Sequence, residues 1–560
     1  MGTAPWRRIA SVLLPILLVA TVFAVYAPSL CHEFLPNWDD PFYVTSNDAI
    51  RGVSLAHLRA AFTGVYVGNY APVQIISYML DYSLWGLCAA GFIFTDILLH
   101  AVNGLLLYFL ILRLSGERVW AFLGALVFLL HPVQVESVDW VSQRKNLLSL
   151  GFFLAALLAW LRHREGEPGR SRWWYLLSLV FFVLALLSKS VAVVLPLVLI
   201  CHGLCCRRPG AKGVRLATLV PFAGVALACG LVALVTQDPG QGFGGGRTGY
   251  VGGSPVAALC TMLPVYLRYV RLIFWPSGLS AVYAPTVRTT VDPAVLAGAA
   301  VLLLLCVWGW WLGRRNPRLL FWLLVAVAGL LPVAQIIPLI TLMNDRYLYF
   351  PMVGVAPLLA RPAALLIAAP SPGRRTAGVL LCLLLIPLGA LAVKREQAWH
   401  DGVTLWEDTL RRVPESSVAR DSLVQALFSR GEALRKAGEL DGALTFFRRA
   451  LAIDPEDQLT LDSIGYLWLE KGDCRSAAGY FRRVANRYPR DFNGIFNLGF
   501  ACACLGELDE AQAAYERALD VRPDFPRALR ALGDIHARRG DRRRAALLYA
   551  RAARAAANLR

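Results

Sequence analysis

Charge is what this chain has least of. Asp, Glu, Lys and Arg make up 17% of it, where about a quarter is usual for a soluble domain. That shortage, with 57% hydrophobic residues and a mean hydropathy of +0.52, excludes a protein that is soluble throughout. Acid is scarcer still in the first two thirds. Residues 394–560 hold 28 basic and 24 acidic residues, which leaves 28 basic and only 14 acidic for residues 1–393. A basic excess on an apolar segment reflects topology and lipid headgroups. No RNA- or DNA-binding motif accompanies it, so nucleic acid is not an expected partner. The 12 cysteines do not form a disulfide framework, because most of them (Cys229, Cys260, Cys306, Cys382) lie in apolar segments, where Cys acts as a small hydrophobe. The one cluster, "CHGLCC" from Cys201 to Cys206, lacks a second ligand pair at a zinc-like spacing and reads as a helix end.

What is present is a series of long apolar runs that stops at Val393. Candidate spans fall at roughly 9–29, 91–112, 119–133, 146–161, 173–188, 191–206, 214–235, 294–313, 319–339, 348–367 and 376–393. Arg7 and Arg8 precede the first run, but no small-x-small cleavage site follows, so it reads as an uncleaved span. Basic clusters recur at alternate turns: Arg7/Arg8, Arg113/Arg118, Arg162/Arg164/Arg170/Arg172, Arg207/Arg208/Lys212/Arg215, Arg314/Arg315/Arg318 and Arg361/Arg374/Arg375. The positive-inside rule places these in the cytoplasm, and with them the N-terminus. The other loops, and the C-terminal region, then face the opposite side. The stretch 256–276, which carries Arg268 and Arg271, reads as an interfacial or re-entrant helix. If it spans, the sidedness of everything after it reverses.

The C-terminal region repeats with a period of 34. Gly431, Gly465, Gly499 and Gly533 keep the step, as do Ala443, Ala477, Ala511 and Ala545. So do Phe447, Phe481, Tyr515 and Tyr549, and Pro455, Pro489 and Pro523. This is the tetratricopeptide pattern: small residues let paired helices cross closely, an aromatic fills the gap, and Pro ends the second helix. The expected organisation is an all-α chain with a polytopic helical membrane domain of about 11 spans at 1–393, a linker at 394–423 and four repeats at 424–560. "LWEDTLRRVPE" in the linker, with Trp406 and Pro414, reads as a degenerate earlier unit. The repeats form a solenoid whose concave face suits an extended peptide or partner helix. The plainer reading is a packing spacer.

Ionisable residues at membrane depth are costly and so mark functional candidates. Five places stand out. Asp39 and Asp40 follow the first span, between Pro36 and Pro41 and beside Trp38, Phe42 and Tyr43. One carboxylate of such a pair can serve as general base toward a hydroxyl. The plainer reading is a solvated loop or a helix cap. "HPVQVESVDWVSQRKN" packs His131, Glu136, Asp139, Arg144 and Lys145 into one short turn, which reads as a lined cavity or as a polar hairpin with internal ion pairs. Lys189 in "LLSKSVAVVLP" is a lone cation between two spans, free to snorkel or to hold an anion. Arg346 in "MNDRYLYF", with Asp345 and Tyr347 beside it, suits bidentate phosphate recognition. Arg268 and Arg271 could do the same. A cationic rim facing paired carboxylates fits a lipid-linked phosphate.

An acidic pair in the first loop after the first span resembles that of GT-C glycosyltransferases. The ordered set "NWDDPFYV", "YAPVQIISYMLDYSLWGL", "LLHAVNGLLLYFLI", "HPVQVESVDWVSQRKN", "LLSKSVAVVLPLVL" and "NDRYLYFPMVG", followed by the repeats, resembles the transmembrane and tetratricopeptide repeat-containing family. The resemblance covers nearly the whole chain. It implies a GT-C membrane fold and a membrane glycosyltransferase that moves a mannose-like sugar from a polyprenyl-phosphate donor to Ser or Thr hydroxyls of exported proteins, with inversion. It also implies roles: Asp39, Asp40 and Glu136 as the catalytic acids, with Asp39 the base. Arg346 matches the Arg of the family's E-R-Y-L-Y segment; beside that match, the reading of the residues themselves adds Lys189, Arg268, Arg271, Arg144 and Lys145 to the donor-phosphate set. His131, Asp139, Asp345 and Tyr347 would line the cavity. Asp345 stands where that family has Glu, and Ser190 where it has an acid. No cofactor or metal is required, the alternative being a divalent cation on Asp39, Asp40 and Glu136. The expected partners are the lipid-linked sugar, membrane lipids and an exported acceptor held by the repeats. The expected location is the bacterial inner membrane, or the endoplasmic reticulum in a eukaryote, with the repeats periplasmic or luminal. Two other classes fit the same features: a non-catalytic membrane scaffold that assembles an envelope complex, and a transferase acting on lipid or polysaccharide.

Overall fold

The computed structural model describes residues 5–165, 168–206, 215–238 and 248–558. The side chains of Arg7 and Arg8, the cluster Arg207/Arg208/Lys212, and residues 239–247 of the Gly-rich loop lie outside the described residues. The described chain is helical, with a lone bridge between Tyr66 and Asn69. It divides into two units, Met1–Ala419 and Arg420–Arg560.

In the first unit seven helices are long and apolar enough to cross a membrane: Ser11–Cys31, Ala89–Ser115, Val141–Glu165, Arg170–Ser188, Pro255–Phe274, Pro293–Arg315 and Pro372–Trp399. A bent pair, Arg118–Leu130 with Pro132–Asp139 at 54°, raises the number to eight if counted as one span. This corrects the expectation of about eleven. Four of the expected spans are the shorter apolar helices Ser190–Cys205, Val220–Thr236, Pro317–Val333 and Met352–Ile367. At 1.5 Å per residue these reach at most ~26 Å, short of a ~30 Å hydrocarbon core. The stretch read as interfacial is instead the 20-residue helix Pro255–Phe274, which is of spanning length. Its Pro264 sits inside the helix without ending it.

Local chemistry sets the helix ends. Proline opens the helices at Pro72, Pro255, Pro293 and Pro317, where its missing N–H costs nothing. Asp292 accepts the N–H of Val295 at 2.9 Å as an N-cap. Two glycines permit close crossings. A Cβ on Gly354 would lie 2.2 Å from the carbonyl oxygen of Trp322, and one on Gly298 would lie 2.4 Å from that of Leu263. Leu303, Leu304 and Trp310 are exposed along Pro293–Arg315, as expected of a helix that faces lipid.

The second unit is four helix pairs: Ser417–Lys436 with Leu440–Ile453, Gln458–Glu470 with Cys474–Arg487, Phe492–Leu505 with Leu508–Val521, and Pro526–Arg538 with Arg542–Ala557. The 34-residue signature is a contact. Each periodic Gly faces the aromatic 16 residues later: Gly431 on Phe447, Gly465 on Phe481, Gly499 on Tyr515 and Gly533 on Tyr549, with an added Cβ 2.6–2.8 Å from the ring. A further periodic set, Gly438, Gly472, Gly506 and Gly540, turns each pair at positive φ. A disulfide joins Cys474 to Cys504 across neighbouring repeats, and the other described cysteines are free.

Candidate functional site

The loop after the first span is pinned from inside. The Asp40 carboxylate is buried; one oxygen accepts from Trp140 Nε1 at 3.1 Å and Ser142 Oγ at 2.5 Å, and the other from the Leu35 N–H at 2.8 Å. Burial pushes its pKa up to about 6, against the hydrogen bonds from Leu35 and Ser142, while the neighbouring Asp39 charge adds to the rise. The carbonyl of Asp39 accepts the N–H groups of Phe42 and Tyr43 at 3.0 and 3.2 Å, which opens the wide turn Pro41–Thr45. This anchoring turns the side chain of Asp39 into a cavity of about 380 Å³.

Three cations line the same cavity as Asp39: Lys145, Lys189 and Arg346. Each has a fixed partner, Tyr43 and Glu136 behind the wall and Asn146 on it. Lys145 Nζ donates to the Tyr43 hydroxyl at 3.1 Å and lies over that ring at 4.6 Å. Lys189 Nζ donates to Asn146 Oδ1 at 2.6 Å. Arg346 is bound by Glu136, whose carboxylate accepts the Arg346 backbone N–H at 2.7 Å and pairs with its guanidinium. The guanidinium also lies 5.3 Å over the Trp140 ring. Trp38 and Trp140, both on the cavity wall, stack with centroids 3.9 Å apart. Trp399 and Trp406 back Trp38 at 6.1 and 4.9 Å. An anionic head beside a carboxylate and an aromatic wall is what this space can hold.

The remaining expected residues lie elsewhere. Arg144 is fully buried, paired at 2.6 Å with both Asp81 and Asp96, and lies over the Tyr78 ring. It ties the helices Pro72–Trp85 and Ala89–Ser115 to the start of its own, away from the cavity wall. His131 meets the carbonyl of Ile273 at 3.0 Å and borders a second, apolar cavity of about 460 Å³. Asp139 accepts from Ser29 Oγ at 2.9 Å. Asp345 accepts from the Tyr283 hydroxyl and faces Arg395 at 3.7 Å. Arg268 lies over the Tyr283 ring at 4.5 Å, and Arg271 is not on the cavity wall. Tyr347 does line it. Among the described residues, Cys201, Cys205 and Cys206 do not converge as a ligand group.

Sequence reasoning marked Trp38 and Tyr43 as aromatics beside the acidic pair, but passed over Trp140 and Trp399 as parts of one wall, Asn146, and the Asp81/Asp96 pair. Both acids stand alone in apolar runs, a signal that the cost of intramembrane charge makes readable.

Fold and site together define a multi-pass, all-α membrane protein with a cation-rimmed cavity and a C-terminal tetratricopeptide region. A family model described as "TPR repeat" matches residues 495–540, and one described as "Tetratricopeptide repeat" matches 424–457. The chain is a distant homologue of the TMTC-like protein O-mannosyl-transferases. It is 22% identical to mouse (Mus musculus) Protein O-mannosyl-transferase TMTC3 over 93% of its own length and 61% of that relative. It is 21% identical to the human (Homo sapiens) TMTC3 over 83% and 55%. The chain thus spans about three fifths of the curated relatives it matches. Among solved structures, MamA 41-end from Desulfovibrio magneticus RS-1 aligns at 20% identity and a TM-score of 0.24, over 28% of this chain and 84% of that one.

Proposed function

We propose that this protein is a membrane glycosyltransferase that moves one mannose-like sugar from a polyprenyl-phosphate donor to a Ser or Thr hydroxyl of an exported protein. The supporting observation is the single cavity that holds Asp39 together with Lys145, Lys189 and Arg346. The donor phosphate sits among the three cations. Asp39 takes the acceptor hydroxyl proton as the oxygen attacks the anomeric carbon. The bond from that carbon to the phosphate oxygen breaks, its electron pair stays on the lipid phosphate, and the cations stabilise the developing charge. One displacement inverts the configuration. Side-chain cations supply the countercharge, so the step is written without a cofactor.

The repeats hold the acceptor; an odd count of seven spans, with Pro255–Phe274 among them and the bent pair Arg118–Asp139 not crossing, supports a position opposite the N-terminus, on the oxidising side of the membrane. The Cys474–Cys504 disulfide favours such a compartment over the cytosol. Homology to the O-mannosyl-transferases over most of the chain supports the reaction class. The test is transfer of labelled sugar from a polyprenyl-phosphate mannose to a Ser/Thr peptide by the full chain in nanodiscs. Transfer that D39N abolishes is the expected result. Equal transfer by wild type and D39N would defeat the mechanism, and absence of transfer to any peptide or envelope protein would defeat the assignment.

A further inference from the structure

A narrow slot adjoins the reaction cavity. It holds about 40 Å³ and runs between the end of Pro168–Ser188, residues 68–71, and the helix Val220–Thr236. Asn69, Lys189, Ser190 and Gln237 line both spaces, so the two meet at a polar collar. Beyond that collar the walls are mostly apolar, with Leu186, Leu187, Cys229, Val232 and Ala233, and the hydroxyls of Tyr70, Ser188 and Thr236 there are spent on backbone carbonyls. Among the described residues, Lys189 is the one charged side chain that lines the slot.

We infer that the hydrocarbon chain of the donor lipid leaves the reaction cavity through this slot, past Val232. The inference rests on the reading of the cavity as a donor-phosphate site. The order of surfaces carries it: Lys145 and Arg346, then a polar collar that holds the last cation, Lys189, then a mostly apolar wall, which is the order of groups along a lipid monophosphate. Lys189 stands at the junction, where the phosphate meets the first isoprene unit. Width also selects the tail. The slot takes roughly three water-sized spheres in all, enough for one hydrocarbon chain and too little for a sugar ring, so the sugar stays in the larger space. Val232 lines the slot and is also 43% exposed, on a helix with no charged residue. A chain that passes it therefore reaches the apolar surface where Leu231 and Val235 are also exposed. The competing exit is the apolar cavity of about 460 Å³ bordered by His131, Phe274 and Leu384. It is roomier, but it shares no lining residue with the reaction cavity.

The test uses the full chain in nanodiscs and a polyprenyl monophosphate with a diazirine on its second isoprene unit. After irradiation, adducts should map to residues 186–190 and 229–237 and should vanish with excess unlabelled polyprenyl phosphate. Competable adducts at 273–276 or 381–391 would place the tail in the other cavity and overturn the slot. V232W and A233F should weaken competition by the long-chain phosphate about tenfold, the worth of roughly two buried methylenes, and leave isopentenyl phosphate unchanged. Equal loss for both phosphates, or no loss for either, would also overturn it. Failure of the other reading looks different: adducts in wild type that R346A leaves unchanged would reject the phosphate site itself, and the slot with it.

Discussion

Glu136 holds Arg346 twice, once by the backbone N–H at 2.7 Å and once by the guanidinium. The two residues are 210 positions apart, and the Glu136 side chain is wholly buried. The pair fixes where a positive charge enters the cavity. Removing the acid alone leaves a partly buried cation without its partner. E136A should cost about 3 kcal/mol, at the low end for a broken buried pair because Arg346 keeps some exposure to the cavity. E136Q should cost less, because its amide oxygen still accepts the backbone N–H. Thermal unfolding in detergent checks the ranking. The affinity for polyprenyl phosphate should fall in both variants.

Asp39 and Asp40 share a peptide bond but not an environment. D39N changes a group on the cavity wall, so transfer should fall by about 10²–10⁴-fold, the range for a lost general base, with little change in unfolding temperature. D40N should do the reverse in part. Its side chain must replace a carboxylate that accepts from Trp140, Ser142 and Leu35, and an amide can accept from one side only. Measuring transfer and unfolding on both variants separates the two roles.

Asp40 also predicts a pH dependence. Its pKa is raised from 3.8 to about 6 in the fold, chiefly by burial. The folded state therefore binds the proton more tightly than the unfolded chain. The stability this contributes is complete below about pH 4 and is lost as pH rises through about 6. The loss is at most about 3 kcal/mol. Unfolding temperature followed from pH 4 to pH 7 should fall more steeply in wild type than in D40N, and parallel curves would reject the account.

The repeats were readable because each periodic residue meets a partner at a fixed local offset, as Gly465 meets Phe481. The paired acids, Lys189 and Arg346 were readable because charge in an apolar run has few structural uses. What was not readable depends on direction and distance. Arg144 and Lys145 are neighbours at a helix start that follows the tight turn Val141–Gln143. That turn aims one at Asp81 and Asp96 and the other at Tyr43, and no local pattern encodes the aim. Trp140 joins the wall because Trp38 and Trp399, from distant segments, stack against it, with Trp406 packed on Trp38. Span number was overestimated because an apolar run records composition, while a break such as the one after Leu130 shortens the helix without changing the composition.

Arg144 and Lys145 give opposite expectations. R144A leaves Asp81 and Asp96 unpaired in a buried setting and should cost about 3–5 kcal/mol, seen as loss of folded protein in detergent. R144K supplies one charge but not the fork that reaches both acids, so it should fall between. K145A should leave folding nearly intact and weaken donor binding. Size-exclusion profiles and lipid-phosphate binding on the same preparations test the contrast.

Gly465 sets two effects against each other in the repeats. Replacing Gly by Ala inside a helix gains about 1 kcal/mol in propensity. Here the new Cβ would stand 2.6 Å from the ring of Phe481, which is wholly buried and so has no free direction to move. Overpacking of that kind costs typically about 1–3 kcal/mol. The clash should win, and G465A should destabilise by about 1 kcal/mol. Shortening the ring relieves the clash, so in the F481L background the same Gly→Ala change should turn neutral or stabilising. Hydrogen exchange of the amides in 458–487, measured in the full chain, reads the local effect directly. A stabilising G465A in the wild-type background would mean that the glycine is not there to admit the ring.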